Sequence, residues 1–182
     1  MVAVSFFLNT FASMTHFSSS RPQDVYAIIL RVNRYFNAID ERNFEYCLDC
    51  FDEYFDADYT SMVGGEPMKA LSRDVNLKAW NGMLSGFNST HHLIGNHDVT
   101  FVDVATCRVK AKVTATHCLK REQGEEELWI TGGTYDLQMV RSPSDDQWRI
   151  SSIKFTQAWH QGSSDLMLEA SKVCAERSKT IW

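Results

Sequence analysis

Two histidines sit at positions where a core side chain is expected. His117 lies on the apolar phase of a long alternating run: Val109, Ala111, Val113, Ala115, His117, Leu119. His92 lies in an apolar segment just upstream, Thr90-His91-His92-Leu93-Ile94-Gly95-Asn96. Residues i and i+2 of a strand share a face, so His117 points where Val113 and Ala115 point. Imidazole titrates near neutrality and either takes or gives a proton. Two imidazoles aimed into one cavity make proton-transfer chemistry possible without a cofactor. Dehydration or isomerisation beside a carbonyl needs a base for the acidic C–H proton and an acid for the leaving oxygen or the enolate. Each well-placed group contributes ~10²–10⁴-fold. The competing reading of either histidine alone is a hydrogen-bonded core side chain.

Other chemistries fit the residue pattern less well. His91, His92, His97, His117 and Asp98 are the material for a metal centre. Adjacent strand residues point to opposite faces, which separates His91 from His92, and neither HxH nor HExxH occurs. No metal and no other cofactor is expected. A hydrolytic triad lacks its GxSxG elbow. Cys47-Leu48-Asp49-Cys50 has the CxxC spacing, but no second ligand pair accompanies it for zinc and no βαβ unit for a thioredoxin-like centre. These are read as helix cysteines. Five cysteines, an odd number, do not suggest a disulfide framework.

The elements that must hold the histidines follow from periodicity. Residues 1–20 read as a loose N-terminal arm. Ser20 and Gln23 have capping-box spacing and Pro22 suits a first helical turn. Val25, Ile28, Ile29, Val32, Phe36 and Ile39 then recur at helical spacing, which predicts a helix over 22–39, broken at 40–43. Phe44, Cys47, Leu48 and Phe51 predict a short second helix, residues 55–61 a strand, and Ser72 the cap of a third helix through Leu84. Strand-like runs follow at about 90–95, 98–105, 107–121, 127–141 and 147–159. Gly132-Gly133 marks a bend in the fourth run. In the last, Trp148 and Ile150 share one parity and Ile153 and Phe155 the other, so a bulge is expected near Ser151-Ser152. Residues 163–182 form a last helix or tail. The layout is α+β: a cone-shaped, strongly bent antiparallel sheet wrapped around N-terminal helices, enclosing a pocket between the layers.

With 182 residues the chain fits one domain over 21–162 plus its ends. A hydrophobic content of 44% supplies a full core. The net charge of −5 argues against a nucleic-acid partner. No run reaches the ~18 apolar residues of a membrane span, and the apolar Met1–Leu8 lacks a basic flank. A cytoplasmic protein without membrane partners is the expectation.

This order, with Tyr35-Phe36-Asn37-Ala38-Ile39-Asp40-Glu41-Arg42-Asn43-Phe44, Ser89 to Asn96, Ala115-Thr116-His117, Gly132 to Asp136 and Gln147-Trp148-Arg149-Ile150, resembles the SnoaL-like branch of the NTF2-like (cystatin-like α+β barrel) superfamily over about residues 22–162. The fold hosts many functions. Within it, the chain is most similar in function-bearing positions to the scytalone dehydratases, which are cofactor-free lyases. The resemblance implies Asp40, His92, His117 and Tyr59 as the catalytic group. It leaves Ile39 where those enzymes carry a second tyrosine, and puts their pocket asparagine near Tyr135 or Asp136.

On that reading His117 is the base, Asp40 orients a histidine, His92 carries the second proton, and Tyr59 holds a substrate carbonyl. Trp80, Met83, Phe101, Trp129, Tyr135 and Met139 line the pocket. The expected activity is a cofactor-independent lyase or isomerase on a small aromatic, polyketide or terpenoid-type molecule. The alternatives are a non-catalytic binding or assembly module, which a filled cone would indicate, and an epoxide-opening or cyclising enzyme. By analogy a homodimer or homotrimer is expected. Asp40 could instead merely cap the second helix.

Overall fold

The computed structural model describes residues 21–121 and 124–179; the arm at 1–20 lies outside them. The first helix, α1 (Pro22–Asp40), buries Ile28, Val32, Tyr35, Phe36 and Ile39 along one stripe, with Pro22 in its first turn. Its N-cap is Arg21 and makes no side-chain cap bond. The expected capping box would need Ser20, which lies outside the described residues. A short helix, α2 (Phe44–Asp49), leads into strand β1 (Phe51–Asp58). The helix was expected to reach Phe51, and the strand to begin near Phe55. Phe51 and Phe55 are both fully buried strand residues, and a phenylalanine at a helix–strand junction satisfies either period.

Two small elements follow that periodicity did not show: helix α3 (Thr60–Val63) and strand β2 (Met68–Ser72), joined across Gly64 and Gly65, both at positive φ. Helix α4 (Arg73–Leu84) starts after Ser72, whose hydroxyl makes no cap bond. Four long strands then form the meander: β3 (Ser89–Phe101), β4 (Thr106–Lys120), β5 (Glu126–Arg141) and β6 (Trp148–Gln161). The two runs expected at 90–95 and 98–105 are one strand, interrupted by a bulge between Gly95 and Asp98 where Asn96 takes φ 53°. Helix α5 (Leu166–Lys179) ends the described chain.

The sheet order is β2-β1-β6-β5-β4-β3. The sheet is curled but not closed. The expectation of an all-antiparallel sheet is corrected at one seam, because β1 pairs with β6 in parallel. That pairing joins segments about 95 residues apart, and no turn signal encodes it. The bends fall where the sequence placed them. Gln138 pairs with Ser152 but Met139 with Ile150, leaving Ser151 as the extra residue, and a second shift lies between Gly132 and Gly133. A Cβ on Gly133 would drive into the Thr156 carbonyl, so only glycine lets β5 and β6 approach there.

The main core lies between α1 and the concave face, around Phe36, Phe51, Phe55, Leu137 and Ile153. A second cluster, Phe87, Leu119, Trp129, Leu166 and Ala170, fastens α5 to the sheet. No helix among the described residues is long and apolar enough to cross a membrane.

Candidate active site

The inward face of the meander carries the site in cross-strand rows. Thr90, His117 and Trp129 stand opposite one another on β3, β4 and β5, and His92, Ala115 and Thr131 form the next row. His117 is 4% exposed, as its strand phase demands. Its ring lies 4.6 Å from that of Trp129 and 5.1 Å from that of Phe87. Its Nδ1–H points at the Trp129 carbonyl at 3.4 Å, which leaves Nε2 as the lone-pair nitrogen. Burial, helped by the neighbouring His92, pushes its pKa down to about 3. His117 is therefore neutral at ordinary pH.

Asp40 is the last residue of α1, and it does not cap α2: the cap is Asn43, whose Oδ1 accepts from the Tyr46 N–H at 3.2 Å. The Asp40 carboxylate turns instead toward β3. Its Oδ1 accepts from His92 Nδ1 at 2.7 Å and from the Thr90 hydroxyl at 2.8 Å, and its Oδ2 accepts from the His92 backbone N–H at 2.7 Å. Burial raises the Asp40 pKa. The His92 hydrogen bonds and charge, with Thr90, outweigh it and hold the carboxyl below the usual range. An ionised carboxylate accepting at Nδ1 makes that nitrogen the donor, so the neutral imidazole of His92 carries its lone pair on Nε2. The two imidazoles stand edge to face with centroids 5.7 Å apart.

Between these histidines and the helices is a cavity of about 250 Å³, lined by His92, His117, Tyr59, Trp80, Met83, Trp129 and Tyr135 among the expected residues. Phe101 and Met139 do not line it. They occupy the cross-strand row Phe101–Cys107–Met139–Ile150, on the inward parity but at the far end of the strands, where Phe101 packs on Trp148 and Met139 is fully buried. Parity defines a face but not a position along it. The alternative Asp136 faces outward and pairs with Lys110 at 3.9 Å. His91 is exposed, whereas His97 is half-buried with Nε2 lacking a partner among the described residues. The bulge at Asn96 re-phases the strand and turns His97 inward.

Residues beyond the expected set complete the wall. Tyr35 lies one helical turn before Ile39, so both face the cavity. The hydroxyl missing at Ile39 is thus offered from the preceding turn, a relation legible in the helical period. Tyr35, Tyr59 and Tyr135 cluster, and the Tyr59 hydroxyl donates to that of Tyr135. Burial raises all three pKa values, Tyr135 to about 12, so all three remain neutral donors. Met62, Met68 and Met167 join Met83 on the apolar lining. Thr131 accepts from Gln157 Nε2 at 2.9 Å. The CxxC pair is buried and free, with burial raising Cys47 to about 12 and Cys50 to about 11. Neither is a nucleophile.

A model of the SnoaL-like domain matches residues 21–154. No curated protein matches the chain. Among solved structures, the Kfla4162 protein from Kribbella flavida superposes with a TM-score of 0.73 at 28% identity, over 81% of this chain and 98% of that one. A candidate scytalone dehydratase from Novosphingobium aromaticivorans gives 0.65 at 22%, over 78% and 89%. The hexachlorocyclohexane dehydrochlorinase LinA-type3 from Novosphingobium barchaimii LL02 gives 0.63 at 14%, over 79% and 92%. At those identities the last two share the fold alone.

Proposed function

The chain belongs to the SnoaL-like family, and from that premise we propose that it is a cofactor-independent lyase or isomerase acting by acid/base proton transfer on a small, neutral, largely apolar molecule of aromatic, polyketide or terpenoid type. The observation that carries the reading is the Asp40–His92 pair at 2.7 Å on the wall of an unfilled cavity. A filled cone would have favoured a non-catalytic module. The names of two fold relatives, a dehydratase and a dehydrochlorinase, both describe eliminations.

We assign the roles differently from the expectation carried by the resemblance, in which His117 is the base. His117, buried and pushed down to about 3, is too weak a base for work near neutrality. His92 is the base, because Asp40 fixes its tautomer and stabilises the imidazolium that forms. Its Nε2 takes the C–H proton beside the carbonyl. The neutral Tyr135 hydroxyl, itself accepting from Tyr59, donates to the developing enolate oxygen. The His92 imidazolium then returns the proton to the leaving hydroxyl, so water departs, the double bond forms and the base is regenerated. Neutral His117 offers Nε2 as an acceptor to a substrate hydroxyl. An isomerisation would use the first half of the cycle and reprotonate carbon instead. Among the described residues no Lys or Arg lines the cavity, which suits a neutral substrate better than a carboxylate or a phosphate.

The test is a panel of neutral β-hydroxy ketones and related ring compounds incubated in deuterated water. Wild-type protein is expected to exchange the proton beside the carbonyl, or to eliminate it, with at least one member. His92→Gln should lose this activity by ~10²–10⁴-fold while its melting temperature holds. Full turnover in folded His92→Gln would end this assignment.

A further inference from the structure

The end of α1 does more than stop a helix. The Asn43 N–H reaches back to the Ala38 carbonyl at 2.8 Å and the Arg42 N–H to Ile39 at 3.1 Å, which is the doubly closed helix end that places its pivotal residue in the left-handed region. Glycine is the favoured residue at such a pivot. Here it is Arg42, at φ 61°. An arginine held in a strained backbone conformation calls for a reason in its side chain.

The side chain supplies one. Arg42 Nη1 donates to the Ile39 carbonyl at 2.8 Å and to the Thr90 hydroxyl at 2.7 Å. The Thr90 hydroxyl accepts from the guanidinium and donates its own proton to the ionised Asp40, at Oδ1, over 2.8 Å. Asp40 in turn holds His92 Nδ1. The residues form one unbranched line: Arg42, Thr90, Asp40, His92. Thr90 and His92 share the inward face of β3 two residues apart, and Asp40 and Arg42 flank the closure of α1, so each element contributes one positioning group and one member of the pair. Thr90 is buried and Arg42 half-buried.

We propose that Thr90 and Arg42 are positioning residues: they hold the Asp40 carboxylate in the one orientation that presents it to His92 Nδ1, and the guanidinium, acting through Thr90, keeps that carboxylate the acceptor and not the owner of the shared proton. The proposal rests on the assignment of His92 as the base. It predicts that the hydroxyl matters and the methyl of Thr90 does not, and that the cation matters more than the backbone at position 42.

The experiment uses the full chain labelled with ¹⁵N-histidine, the His92 resonances being identified by their loss in His92→Gln. Wild-type protein and Thr90→Ser are expected to show a single Nδ1–H tautomer of His92 with a protected low-field Nδ1 proton. Thr90→Val and Arg42→Gly should lose that protection and mix tautomers. Arg42→Gly relieves the backbone strain and is expected to melt no lower than wild type, so it guards against a folding artefact in Thr90→Val. With a turned-over substrate, both should lower kcat roughly ten- to a hundredfold, the cost of one hydrogen bond to a charged group, at near-constant KM. Wild-type and variant spectra that coincide, with wild-type His92 carrying its proton on Nδ1, would overturn the proposal alone. A wild-type His92 protonated on Nε2 would overturn it together with the assignment of the base.

Discussion

Burial beside Phe87 and Trp129, with His92 nearby, holds the His117 imidazole down to about 3, against about 6.5 for a free histidine. The sign of its linkage to stability follows. The unfolded chain takes a proton on this residue near pH 6.5 and the folded chain does not until about pH 3, so acid favours unfolding. Its contribution is complete above about pH 6.5 and declines by about 1.4 kcal/mol per pH unit below that, until the folded value is reached. Urea unfolding at pH 7 and pH 5 should show wild-type protein losing about 2 kcal/mol more than His117→Gln. Equal losses would mean that His117 is hydrated or charged in the fold. At this scale the sequence was informative about which residues face inward: His117 followed from the parity of Val113 and Ala115. Periodicity was silent on roles, which came from the resemblance, since nothing in a strand's period says which histidine receives the carboxylate.

Helix ends, bulges and close approaches decide how the elements present those residues. The bulge at Asn96 re-phases β3 so that Phe101 shares the inward face with His92, but Phe101 sits at the far end of the strand, where it packs on Trp148. The glycine pair in β5 and the phase slip in β6 were legible because a bend leaves a local signature. The α4–α5 contact left none. A Cβ on Gly86 would collide with the backbone of Ala170, so the link after α4 and the second turn of α5 meet main chain to main chain at this point. Since Met167 of α5 lines the cavity, that contact also shapes the pocket. Gly86→Ala is expected to displace α5, lowering the melting temperature by several degrees and increasing amide exchange across residues 166–176. Unchanged exchange there would show that the helix docks independently of this approach.

The whole molecule is a cone closed by α1 at one end and left hollow at the other. Filling the hollow separates stability from ligand capture. Ala115 stands in the same row as His92 and lines the cavity, so Ala115→Leu should abolish binding of any panel ligand in a thermal-shift assay while its own melting temperature holds or rises, since an apolar void is being packed. Loss of the fold instead would place Ala115 in a tightly packed core. On the outside, Leu93, Thr114, Gly132 and Trp159 form a cross-strand row with Leu93 and Trp159 exposed, and light scattering is expected to return a homodimer or homotrimer; a monomer at micromolar concentration would remove that expectation. By itself the sequence determined the types of the longer elements, the inward face of β4, the bends in β5 and β6, the family resemblance and the set of titratable residues. These are carried by local periods and by single residues with special backbones. Only the tertiary structure decided that β1 joins β6 in parallel, that Asp40 serves His92, and that Arg42 reaches Thr90. Those are contacts between segments roughly 50 to 95 residues apart, whose side-chain directions depend on how helix α1 is laid across the sheet, and no pattern within either segment records that placement.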